Sequence, residues 1–139
     1  MTAFLWALVT AGIWGIVPLM EKVGLGTGSP TAGVVARSFG IVIGLIVYSL
    51  VASPWAAVRA LGWPSIVLLA AGGLLASFVG QLAFYQALKT GAVSQITPVA
   101  GTYPLVAAVL GWWLLREPIT PSRIAGVVCV VVGIVLLRR

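Results

Sequence analysis

Residues 81–118, QLAFYQALKTGAVSQITPVAGTYPLVAAVLGWWLLREP, decide how the whole chain is read. They form two apolar helices folded back at Lys89-Thr90-Gly91. The second is interrupted by Pro98, Gly101 and Pro104 and stops at Arg116-Glu117-Pro118. Each proline removes a backbone donor and crowds the carbonyl one turn back, so a water-soluble helix does not normally carry such a set. A membrane helix tolerates it where neighbouring helices or a water-filled cavity satisfy the freed carbonyls. The hairpin is therefore expected to line a functional cavity, with Pro98, Gly101 and Pro104 as helix-break or gating positions.

Composition supports a membrane reading. Of 139 residues 61% are hydrophobic and 7% charged, with a mean hydropathy of +1.18. A soluble domain carries roughly a quarter charged residues, so this chain has too little polar surface to cover a globule in water. The net charge of +6 comes from basic residues scattered at the ends of apolar runs, where they meet lipid headgroups and set orientation. They form no patch or stripe, which argues against nucleic acid as a partner. One cysteine, Cys129, excludes an internal disulfide framework.

A spanning helix needs roughly 20 mostly apolar residues. By that measure residues 1–139 make one transmembrane domain with helices at about 3–20, 31–52, 64–88, 92–115 and 121–137. The connectors are short and rich in Gly, Pro, Ser and charge, as helix ends require. No stretch alternates with period two over enough repeats to make a barrel. The fold class is an all-α integral membrane protein, a bundle of five transmembrane helices. Small residues recur at spacing four in Ala3/Ala7/Ala11/Gly15, Ala36/Gly40/Gly44 and Gly72/Ala76/Gly80. Such stripes let helix backbones approach closely, so they are expected to be packing seams.

Polar residues inside the apolar runs are few. Arg37 lies about two turns into the second helix, at roughly 1.5 Å per residue. It either snorkels to the interface or points a cation into the cavity to hold a carboxylate or phosphate group. Ser77, Gln81 and Tyr85 share a face by their spacing, either as interhelical glue or as a row of donors and acceptors along a solute path. Thr97, Thr102 and Tyr103 on the interrupted helix could face that row. The expected lining residues are Trp14, Arg37, Gln81, Tyr85, Thr97 and Tyr103. Both carboxylates, Glu21 and Glu117, stand at expected helix ends, where solvation is the simpler reading. Glu21 is the one candidate for coupling transport to a proton.

Enzyme chemistry fails on inventory. Two remote carboxylates, one cysteine and no histidine assemble neither a nucleophile–base pair nor a zinc site. No phosphate-cradling P-loop is present. No cofactor and no metal are expected.

The segment LAFYQALKTGAVSQITPVAGTYPLVAAVLGWWLLREPIT, with the closing helix SRIAGVVCVVVGIVLL, resembles the drug/metabolite transporter superfamily, in particular a single EamA-type domain. The shared features are an aromatic-x-Ala-Leu-Lys turn, a proline-containing fourth helix, a Gly-Glu-like stop and a glycine-bearing last helix. Trp14-Gly15 and the Val35-Ala36-Arg37-Ser38 segment also fit, and Arg116 stands where the family often has glycine. The resemblance implies export or exchange of small organic solutes such as amino acids, metabolites or drugs, across the cell (inner or plasma) membrane. It also implies that this chain is one half of an inverted-repeat fold whose substrate sits between halves. Small multidrug resistance proteins are similar, but they carry a carboxylate in the first helix, and none occurs between Ala3 and Met20.

A lone half is expected to pair as an antiparallel homodimer. If the helix ends alternate, Arg59, Arg116 and Arg123 fall on one side. Lys22, Lys89, Arg138 and Arg139 fall on the other, with Arg37 leaning the same way. That near balance leaves insertion in both orientations open. The alternatives are a subunit of a lipid-linked sugar flippase, or a non-transporting half paired with a different membrane partner.

Overall fold

The computed structural model describes residues 2–118 and 120–137; Arg138 and Arg139, used above in the charge balance, lie outside the described residues. Among them all regular structure is helical. The chain divides into two compact units, Met1–Thr90 and Gly91–Arg139.

The first unit begins with α1, Ala3–Leu25. It runs five residues beyond the expected end at Met20, because Glu21 and Lys22 are good helix formers and the real stop lies further on. Gly26 takes φ 47° and returns its N–H to the Lys22 carbonyl, a left-handed ending that glycine adopts without penalty. After it, Ser29 accepts a hydrogen bond from the Ala32 N–H and Pro30 opens α2, Pro30–Ala52. A short α3, Trp55–Ala60, and Gly62 at φ 74° turn the chain into α4, Trp63–Leu74.

A π-helical turn, Leu75–Gly80, joins α4 to α5, Gln81–Thr90. The sequence suggests an uninterrupted α-helix here, and the structure differs. A Cβ on Gly80 would lie 3.2 Å from the Leu75 carbonyl oxygen, tighter than ordinary contact, so glycine suits the end of this turn. π-turns of this kind occur often at functional sites, and this one ends at Gln81.

In the second unit α6, Val93–Ala100, and α7, Tyr103–Leu114, meet at a break at Gly101-Thr102. The Gly101 N–H reaches the Thr97 carbonyl at 2.7 Å, and the Thr102 N–H and Oγ1 reach the Val99 carbonyl at 3.2 and 2.8 Å. Pro104 sits in the first turn of α7, where its missing N–H has no intrahelical partner to lose. Pro98 lies inside α6. The closing helix α8 is Pro121–Leu137.

Four segments are long and apolar enough to cross a membrane: Ala3–Leu25, Pro30–Ala52, Trp63–Thr90 and Val93–Leu114. The remaining α8 is a shorter apolar helix. The chain is thus an all-helical, multi-pass membrane protein. Its side chains agree, since large apolar residues are exposed along every one of these helices, such as Trp6, Ile43, Leu68 and Val106. In water such a surface would be an aggregation site; in a bilayer it faces acyl chains.

The small-residue stripes behave otherwise than expected. A Cβ added at Gly12, Gly15, Gly40, Gly44 or Gly72 would meet nothing within 4 Å, so these glycines are not packing seams within the first unit. Another helix closes in at Gly33 on α2, whose added Cβ would lie 2.7 Å from Tyr85 Cε2 and 2.9 Å from Leu25 Cδ1. The core of the first unit is here. Leu25, Val34, Tyr85 and Leu88 are buried, one from α1, one from α2 and two from α5.

The stop after α7 carries local strain. Arg116 takes φ 53°, a left-handed conformation costing a non-glycine residue about 1–2 kcal/mol. Glycine, common there in the family the sequence resembles, is free of that penalty. Arg116→Gly relieves that penalty but loosens the unfolded chain, so a net gain of about 0.5 kcal/mol is expected, checked by thermal unfolding in detergent.

Candidate functional site

The site is built where α1, α2 and α5 meet. Because α1 continues through Glu21, that carboxylate is carried inside a span-length helix and turned toward α5. Its side chain is 9% exposed. The expectation that Glu21 is a solvated residue beyond the helix end is thus corrected; the Gly26 stop lies more than a turn further on.

Glu21 Oε1 gathers two hydrogen-bond donors and a cation. Gln81 Nε2 donates at 2.8 Å, the Tyr85 hydroxyl at 3.0 Å, and Arg37 Nε stands at 3.2 Å as an ion pair. Gln81 and Tyr85 lie one turn apart on α5, so spacing four delivers both to the same oxygen. Arg37 reaches in from α2, its side chain 32% exposed. Its Nη1 is buried and has no hydrogen-bond partner among the described residues. Next to Glu21, Lys22 Nζ donates to the Leu88 carbonyl, one of the last-turn acceptors that α5 cannot satisfy itself. Adjacent residues of α1 thus hold both ends of α5.

Packing fixes this geometry. Tyr85 is 3% exposed and its ring lies against Gly33, where any side chain would occupy the ring's place. Ser38, one position after Arg37, donates its hydroxyl to the Val34 carbonyl of its own helix at 2.8 Å. Chemically, the cluster joins an acceptor, a cation and two neutral donors inside apolar helices. Charges at such depth are expensive and mark solute or ion pathways.

Of the six expected lining residues, Arg37, Gln81 and Tyr85 come together, and they do so around Glu21. Trp14 lies two turns before Glu21 on α1, is 57% exposed and is not among the partners of the carboxylate. Thr97 and Tyr103 belong to the second unit. There Thr97 Oγ1 is buried without a hydrogen-bond partner among the described residues, and Tyr103 is 57% exposed. Ser77 lies within the π-turn and is half-buried. The residue underrated by sequence reasoning is Glu21. The signal that could have found it is the glycine pair Gly26 and Gly28, which puts the helix stop after the carboxylate rather than before it.

Glu117 is a different kind of carboxylate. It stacks over Gly111, accepts from Arg123 Nη1 at 3.2 Å and returns its N–H to the Gly111 carbonyl at 3.1 Å. Both partners of that pair are about half exposed, at 49% and 50%, and exposed pairs contribute little energy. Its geometry is that of a corner clasp between α7 and α8.

Residues 1–139 match the EamA-like transporter family. An uncharacterized protein of Methanocaldococcus jannaschii, MJ1333.1, is similar, with 32% identity over 59 residues, or 42% of this chain and 43% of that protein. The match thus covers less than half the length of that relative. No solved structure matches the chain. With its family match running from end to end, the chain belongs to the EamA-like transporter family.

Proposed function

We propose that this EamA-family chain moves small organic solutes across the cell membrane as an antiparallel homodimer, and that solute is handled at the Glu21–Arg37–Gln81–Tyr85 cluster. The observation that carries this reading is the ion pair inside span-length apolar helices, its carboxylate side chain only 9% exposed. A purely structural pair would be weak evidence of stability, since a well-packed apolar pair would hold the helices as well. Its presence in so apolar a chain is better explained by chemistry with a polar solute.

The family's architecture and the charge distribution support dimerisation. Inverted-repeat transporters place substrate between two halves near the midplane, and this chain has the length of one half. The 17 residues of α8 extend about 25 Å, enough to cross a locally thinned bilayer as a fifth helix. Five crossings put the two ends on opposite faces, and the near-balanced Lys/Arg distribution leaves both orientations accessible.

The test has two readouts. Purified protein in liposomes is expected to carry labelled solutes from a panel of organic acids, amino acids and amphipathic amines. A C-terminal tag in intact and permeabilised cells is expected to appear on both faces in similar amounts. No flux for any member of the panel from a folded dimer would sink the transport reading. A single orientation would replace the antiparallel homodimer with a parallel dimer or a different inverted partner.

A further inference from the structure

We propose that Glu21 is a resident carboxylate which occupies Arg37 in the solute-free protein and yields it to the carboxylate of a small organic anion. The inference deepens the transport reading above and rests on it.

The guanidinium is under-used. A guanidinium offers five N–H donors in a planar fork that matches a carboxylate through two parallel bonds. Glu21 engages Arg37 through Nε alone, at 3.2 Å, and Nη1 has no partner among the described residues. A carboxylate arriving with both oxygens free can form the two-bond arrangement, which is shorter and stronger than a single contact.

The carboxylate, by contrast, is well served without Arg37. Gln81 Nε2 at 2.8 Å and the Tyr85 hydroxyl at 3.0 Å remain on Oε1 when the guanidinium turns away. Both are neutral groups of α5, and Tyr85 is held by its packing against Gly33 rather than by Arg37. The pair can therefore open without stranding Glu21 among apolar side chains. Lys22 does not replace Arg37 in this exchange, because its Nζ is engaged by the Leu88 carbonyl at the end of α5.

Exposure sets the direction of approach. Arg37 is the more open partner, 32% against 9% for Glu21. A solute therefore meets the Arg37 side chain first, and the buried Nη1 becomes available to it as the guanidinium turns off Glu21. A cationic solute would have to reach a nearly closed carboxylate oxygen already carrying two hydrogen bonds and the guanidinium. The site is thus selective for anions although it contains a carboxylate, and Glu21 sets how tightly they bind.

The experiment uses the full chain in lipid nanodiscs, with radiolabelled benzoate as the anionic probe and tetraethylammonium as the cationic control. Glu21→Gln removes the resident charge while keeping an acceptor for Gln81 and Tyr85, and it leaves a guanidinium with no counter-charge. Benzoate is expected to bind about tenfold more tightly to Glu21→Gln than to the wild type, with tetraethylammonium unaffected. The double variant Glu21→Gln/Arg37→Gln is expected to lose the gain. If Glu21→Gln does not fold, Glu21→Asp, which keeps the charge but shortens its reach, is expected to show a smaller gain of the same sign. Unchanged or weakened benzoate binding in the folded variant overturns the proposal, as does a gain that survives loss of Arg37. Liposome flux keeps the two readings apart. Flux without the affinity gain removes only the role of Glu21, whereas the gain without flux removes transport and leaves an anion-binding site.

Discussion

Arg37→Ala is expected to abolish flux of organic anions in liposomes while the protein still folds. The substitution removes the only cation in contact with Glu21 among the described residues and the donors that a solute carboxylate would use. Breaking a buried ion pair from one side costs about 3–5 kcal/mol when the remaining charge is left without partners. Here Glu21 keeps Gln81 and Tyr85, and Arg37 is itself one-third exposed. A loss of about 1–2 kcal/mol is therefore expected, small enough for a bundle to survive. Flux is read in proteoliposomes, and folding by thermal unfolding of the same preparation. Wild-type flux from a folded Arg37→Ala protein removes Arg37 from the pathway.

Gly33→Leu is expected to have the second largest effect, though Gly33 bonds no polar group of the site. Even a methyl there would stand 2.7–2.9 Å from the Tyr85 ring and Leu25, well inside contact distance, and leucine adds three more carbons. Tyr85 has no room to retreat, being 3% exposed. The ring must swing out, taking its hydroxyl off Glu21 and separating α2 from α5. Overpacking of this kind costs about 1–3 kcal/mol. Flux should fall at least tenfold, because the carboxylate loses one of its two neutral donors and the helices no longer hold Arg37 in register. Gly40→Ala is the control, two turns along the same helix, where an added Cβ meets nothing within 4 Å. Helix propensity makes that change neutral or stabilising by about 0.5–1 kcal/mol. Equal damage from both substitutions would mean that α2 tolerates no added bulk, and would detach Gly33 from any special role.

Much of this molecule is legible from one-dimensional patterns. The apolar runs and short connectors give membrane helices, because a bilayer forces the backbone to satisfy its own hydrogen bonds. The break in residues 93–114 follows from Gly101 and the prolines beside it. Arg37, Gln81 and Tyr85 could be singled out because a polar group in an apolar run must find a partner or a purpose. The partner itself was not legible. Glu21 precedes a lysine and a glycine-rich connector, and its place at the end of an apolar run reads as solvated. The helix stop lies beyond it, at the left-handed turn of Gly26 with φ 47°, and only the packed structure shows which side chains Glu21 then meets.

By itself, then, the sequence determined the solvent, the helical class and the short roster of polar side chains that have to be accounted for. These follow from composition and periodicity, which act locally along the chain. The tertiary structure alone decided which of those side chains meet. Gln81 and Tyr85 reach Glu21 across 60 and 64 positions of sequence, and no spacing rule spans that distance. Their meeting depends on Gly33 admitting the Tyr85 ring and on the Leu75–Gly80 π-turn that immediately precedes Gln81. Both are contact and register effects, set when helices pack and not before.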